Sequence, residues 1–158
     1  MKNQKGFSLI ELLIVVAIIL IIAAIAIPNL MRARMSANEA SAAGSIRTIN
    51  TGEVSYAASY PSIGFTALAQ LGGASPCTPS TSSGCFLDNV LAQGAKEGYS
   101  FAATPSTAVA GVNMTYTSLG SPSSLNRTGT RSFCSDQTGV IFYAVNSTAC
   151  TNGSYVLQ

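Results

Sequence analysis

From Leu12 to Ile27 sixteen consecutive residues are apolar and uncharged, and Leu9 and Ile10 extend the run across a single Glu11. At about 1.5 Å per residue, a helix of this length just spans the roughly 30 Å hydrocarbon core of a bilayer. A helix that is apolar all round has to be buried in lipid or among other helices. Pro28 closes the run and predicts a kink or local break there. Good helix formers continue beyond it, and the pattern becomes one-sided. Ala42, Ile46, Ile49, Tyr56 and Tyr60 recur at intervals of three, four and seven, the stripe of an amphipathic helix that can lie on a sheet. Glu53 falls close to that stripe as a polar blemish, at its edge or with a partner. The pattern predicts one long helix from Ser8 to about Ser59, bent at Pro28 and softened at Gly44 and Gly52.

Tyr60-Pro61 ends the helix, and residues 61–98 form a Gly/Ser/Pro/Thr-rich connection. Short helical patterns occur in it at Phe65–Leu71 and Asn89–Ala95. Strand-like alternation follows, with Tyr99, Phe101 and Ala103 on one side, then Val112, Met114 and Tyr116. Leu119–Thr130 reads as a polar loop. Arg131–Ser135 and Val140–Val145 flank Asp136-Gln137-Thr138-Gly139, a hairpin turn. Ser154–Leu157 is a candidate edge strand. The fold class is α+β: a long N-terminal helix, apolar in its first half and amphipathic in its second, packed on an antiparallel sheet of about four strands.

Composition narrows the chemistry. The chain has 158 residues, no His, no Trp, and only 9% charged residues. Without His, a Ser-His-Asp or Cys-His pair is excluded and the commonest metal ligand is missing. From Tyr60 onward the carboxylates are Asp88, Glu97 and Asp136, widely scattered. No acid/base pair or activated nucleophile is discernible, and the chain is expected to be neither an enzyme nor a holder of a metal or cofactor. Lys2 and Lys5 precede Gly6. Without that stub, six basic side chains balance six acidic ones, which argues against nucleic-acid binding by phosphate neutralisation. A neutral Ser/Thr/Asn-rich surface also opposes self-association only weakly.

Four cysteines, Cys77, Cys85, Cys134 and Cys150, all lie beyond the apolar run. An even count in that setting predicts two disulfides in an oxidising compartment, and the spacings do not suit a zinc site. Four cysteines allow three pairings, of which we favour Cys77–Cys85 and Cys134–Cys150.

The N-terminal segment has three physical readings. It can be a signal peptide with Ala24-Ile25-Ala26 at its cleavage site. It can be a plain membrane anchor. It can also be an assembly helix whose Glu11 pairs with a positive group on a neighbour, since an intramembrane carboxylate is costly unless matched. The first two leave Glu11 without a reason.

The string Lys5-Gly6-Phe7-Ser8-Leu9-Ile10-Glu11-Leu12-Leu13 resembles the processing signature of type IV prepilins and of the related pseudopilins of type II secretion. The specific part of the resemblance extends through Ile27-Pro28. It implies a leader, residues 1–6, removed by a membrane prepilin peptidase between Gly6 and Phe7, with N-methylation of the new terminus at Phe7. It implies a transmembrane and assembly helix over 7–28, with Glu11 and Pro28 as assembly residues, an amphipathic half over 29–60, and a globular head over 61–158. Glu11 would pair with the N-terminal amine of a neighbouring subunit. Many family members carry a glycine before the proline, and Leu12–Ile27 has none. The implied partners are further copies of the chain in a helical homopolymer, the prepilin peptidase, an inner-membrane assembly platform, and the membrane itself before assembly. The expected function is that of a structural subunit, a major pilin, held in the bacterial inner membrane as a precursor and then in an extracellular pilus. The alternative is a pseudopilin forming a short periplasmic fibre. A membrane-anchored monomeric adhesin is a third class. An electron-conducting helix is disfavoured, because no aromatic residue occurs between Phe7 and Tyr56.

Overall fold

A computed structural model describes residues 7–151 and 154–157, with the side chain of Thr107 excepted. The chain divides into two compact units, Met1–Arg34 and Met35–Gln158. Helix α1 (Leu9–Ser59) is continuous in secondary structure. The expected local break at Pro28 is not seen, and Gly44 and Gly52 do not interrupt the helix either. A proline removes one hydrogen bond from a ladder of many, and the remaining bonds carry the helix past it.

The second unit holds the hydrophobic core. Ala42, Ala43, Ile46, Ile49 and Tyr56 of α1 are buried, and Tyr60 packs at the margin, so the one-sided stripe is the core-facing side. The opposite face carries hydroxyls bonded back to the preceding turn. Thr48, Thr51, Ser55 and Ser59 each donate to the carbonyl four residues earlier, at 2.8–3.1 Å. The following segment contains two single-turn helices, α2 (Leu68–Leu71) and α3 (Asn89–Ala92). Both are shorter than the helical patterns in the sequence. Asp88 accepts the Leu91 amide at 2.8 Å to start α3. Gly94, at φ +80°, then turns the chain into the sheet, which is why helix does not continue to Ala95.

The sheet is a six-stranded antiparallel meander, in spatial order β1 (Ala95–Lys96), β2 (Tyr99–Val109), β3 (Val112–Pro122), β4 (Arg131–Asp136), β5 (Ile141–Val145) and β6 (Tyr155–Val156). It exceeds the expected four strands by two of two residues each: β6 lies within the candidate edge strand Ser154–Leu157, whereas β1, too short to show an alternation, is not among the expected strands. Strands β2 and β3 also run further than expected, and the stretch read as a loop from Leu119 begins only after Pro122. The physical reason lies in the residues facing the helix there. They are Ser118 and Gly120, both buried, and neither is apolar enough to mark a strand. A Cβ on Gly120 would lie 2.9 Å from the Phe101 ring, so the glycine makes room for that ring.

Strand β4 is buried from Ser132 to Asp136, on both faces. One face meets α1. The other is covered by the chain returning from β5, held by the Cys134–Cys150 disulfide and by the Ser132 hydroxyl donating to the Ala149 carbonyl at 3.3 Å. The favoured pairing is the one observed, with Cys77–Cys85 as the second bridge. The β4–β5 turn is also as expected. The Thr138 amide donates to Asp136 Oδ1 at 2.8 Å and the Gly139 amide to the Asp136 carbonyl at 3.0 Å, with Gly139 at φ +74°. Replacing Cys134 and Cys150 by serine is expected to lower stability by about 3 kcal/mol, the loop-closure entropy of a bridge of this span. Urea unfolding of the full chain in detergent checks this, and an unchanged midpoint would show that the bridge holds nothing in place.

Candidate assembly segment and the buried acids of the head

The first half of α1 presents apolar side chains outward over its whole circumference. Leu9, Ile10, Leu12, Leu13, Ile14 and the large apolar side chains that follow to Met31 are all exposed. The helix is long and apolar enough to cross a membrane. Phe7, just before the helix, is 78% exposed. Gly6, the other half of the expected cleavage junction, lies outside the described residues, as does the leader.

Glu11 sits in the first turn of α1. Its Oε2 accepts the Ser8 amide at 2.9 Å, so the carboxylate caps its own helix. The start of a helix leaves amide groups without intrahelical partners and carries partial positive charge, and a carboxylate there is stabilised on both counts. Glu11 therefore has a local partner that the sequence reading did not assign. Neither of the two ion pairs among the described residues involves it. Pro28 lies inside the same helix, among exposed apolar neighbours.

The head carries two buried acids on α1. Extended upstream, the core stripe runs 39, 42, 46, 49, 53 and 56, so Glu39 and Glu53 both fall on it. Periodicity alone placed Glu53 near the stripe and overlooked Glu39. Glu39 is 6% exposed and fully matched. Its Oε1 accepts the Thr130 amide (2.7 Å), the Thr130 hydroxyl (2.8 Å) and the Arg131 amide (3.2 Å), while Oε2 accepts Arg131 Nε at 2.8 Å. Arg131 in turn lies over the Tyr143 ring, 5.6 Å from its centroid. Burial acts to raise the Glu39 carboxyl. The Thr130 bonds, with the bond and charge of Arg131, outweigh it and hold the group below its usual value. The contact joins the helix to the start of β4.

Glu53 is the opposite case. It is fully buried, its Oε2 accepts the Thr66 amide at 3.0 Å, and its Oε1 has no hydrogen-bond partner among the described residues. Burial raises its pKa from 4.5 to about 7 against the opposing Thr66 bond. One turn earlier, Asn50 is bonded through both its amide nitrogen and its amide oxygen. Its Nδ2 donates to Ser135 Oγ at 2.8 Å, and its Oδ1 accepts from Tyr116 at 3.1 Å and Ser118 at 3.2 Å. The small polar residues of β3 and β4 thus close a hydrogen-bonded network under the sheet. Among the described residues no group of three or more acidic or cysteine side chains is arranged to hold a metal ion.

Two comparisons bear on the N-terminal segment. Residues 1–27 match the family described as the prokaryotic N-terminal methylation motif. The protein named type IV wide pilus major component PilA4, from Thermus thermophilus, is 67% identical over 39 residues, which cover 25% of this chain and 30% of that protein. The chain thus spans under a third of the length of the relative it matches. No solved structure matches. Both findings support the resemblance to type IV pilins.

Glu39→Ala is expected to destabilise the head by about 2–4 kcal/mol at neutral pH, because it strands the Thr130 and Arg131 donors. The Glu39 contribution is present above its ordinary value of 4.5 and lost as pH falls through its lower folded-state value. The gap between wild type and variant should therefore narrow in acid. Denaturant titrations at several pH values test this, and a gap that is absent at pH 7 or constant into acid would refute it.

Proposed function

We propose that this chain is the structural subunit of a type IV pilus, a major pilin that polymerises through the first half of α1. The observation that carries the reading is the apolar surface from Leu9 to Met31, exposed on every side and opened by a single carboxylate. In water such a helix is untenable, so it belongs in lipid or among copies of itself. Moving it from lipid into a bundle gains little from the hydrophobic effect, because both surroundings are apolar. Packing and polar contacts decide the association.

The leader is cut between Gly6 and Phe7, and the new amine is N-methylated. That cut creates a cation four residues before Glu11. In the single chain Glu11 is occupied by the Ser8 amide, a neutral donor. A methylated amine from a neighbour brings full charge to the same carboxylate. A buried ion pair roughly breaks even in energy, but an unmatched partner is strongly penalised. The pairing therefore fixes axial register as a subunit joins, while the apolar helices provide cohesion. The neutral charge balance of the processed chain permits close packing of heads. The precursor resides in the inner membrane and the product in an extracellular filament.

Glu11→Ala should leave leader removal intact and reduce surface fibres sharply; abundant fibres from this variant would sink the pairing. Gly6→Val should block processing, visible as loss of the mobility shift on co-expression with the peptidase. Mass spectrometry of sheared fibres should find this chain beginning at methylated Phe7, and fibres that lack the chain would overturn the assignment.

A further inference from the structure

Glu53 is a buried acid that the assembly reading does not use. Among the described residues no cation pairs with its carboxyl. On its own helix the nearest charged residue is Arg47, which is exposed. The segment packed on it, residues 61–71, contains no charged residue at all. From β3 it is faced by Tyr116, whose hydroxyl donates to Asn50 and whose ionisation the Glu53 charge opposes. Asp136 of β4, itself buried, bears on the same tyrosine and adds only negative charge. An ionised Glu53 would thus have one amide as its support and an oxygen with none.

The segment that supplies this amide has little regular structure beyond the single turn of α2. Next to Glu53, Gly52 leaves space for Leu87 and Leu71, whose side chains would lie 3.2 Å and 3.7 Å from a Cβ at that position. Thr66 itself bonds Gln70 of the single-turn helix α2, and Ile63 and Phe65 exchange backbone bonds with Asn113 at 2.8 and 3.0 Å. Its other ties are scattered: Asn113 Nδ2 donates to the Phe65 carbonyl at 2.8 Å, Gly84 to the Gln70 carbonyl at 2.7 Å, and Phe86 and Leu87 to the Leu71 carbonyl at 2.8 and 3.0 Å, whereas α1 and β3 are long and bonded along their length. Of the three elements around the carboxyl, residues 63–71 have the least regular structure, a single helical turn, and lifting them would bring Glu53 to water.

We propose that Glu53 is a proton-operated latch: its neutral carboxyl holds residues 63–71 on α1 and β3, and loss of the proton releases that segment ahead of the rest of the head. The direction follows from linkage. A carboxyl held at about 7 in the docked state and at the ordinary 4.5 when exposed binds its proton more tightly docked. Its stabilisation is fully present below 4.5 and is lost as pH rises through about 7. Between pH 6 and pH 8 the opening equilibrium should increase about tenfold.

Hydrogen–deuterium exchange of the full chain in detergent, corrected for intrinsic rates, reads this directly. Protection of residues 63–71 should fall about tenfold from pH 6 to pH 8, with little change in β2–β5. In Glu53→Gln the segment should stay protected at both pH values. Wild-type protection that is independent of pH, an equal loss across the sheet, or an unaltered pH response in Glu53→Gln would each overturn the latch. Should that variant not fold, the wild-type Glu53 carboxyl carbon can be titrated by NMR. An inflection near 7 supports the latch, and one below 5 overturns it.

Discussion

The constraint on which this molecule turns is the absence of cover for its apolar helix. From Leu9 to Met31 the side chains of α1 are exposed on all sides. Such a surface has no stable existence in water, so the state of the chain is set by what surrounds that helix. In a bilayer the lipid does so, and in a bundle sister helices do so. Both are apolar, so neither is strongly preferred on burial alone, and the choice passes to the few polar groups present. Glu11 is the one carboxylate within this stretch, and it accepts the Ser8 amide at the start of the helix.

The head manages buried charge in two contrasting ways. Glu39 is surrounded by four donors from Thr130 and Arg131 and works as an ionised staple between helix and sheet. Glu53, two heptads later on the same stripe, has a single donor and an oxygen without a partner. The same residue type on the same face is charged in one place and favours the neutral form in the other. The difference lies in what crosses above the helix: a strand start bearing arginine, or a charge-free connecting segment. The first is a fixed joint, and the second leaves one carboxylate oxygen unmatched among the described residues.

Several features were legible from residues alone because they rest on local rules. The apolar run and the amphipathic stripe follow from side-chain periodicity, which a helix of this length repeats many times, and the end of α1 near Ser59 follows from Tyr60-Pro61. The Asp136–Gly139 turn follows from an aspartate that bonds its own backbone and a glycine at positive φ. The strand ends were harder to see. Where Ser118 and Gly120 face the helix, burial is achieved by a hydrogen bond to Asn50 and by an inserted phenylalanine ring, so the expected alternation is lost. A strand of two residues, such as β1, carries no periodicity at all.

The sequence by itself determined the division of labour: an apolar helix opened by one glutamate behind a Gly-Phe junction, then an α+β head carrying four cysteines. These are properties of neighbouring residues and of spacing, and the short-range physics of helices and turns acts on them directly. The tertiary structure decided which acid is matched and which is stranded, because that depends on groups far away in the chain. Thr130 and Arg131 reach Glu39 across about ninety residues. The segment over Glu53 brings no cation, and only folding reveals that nothing else does.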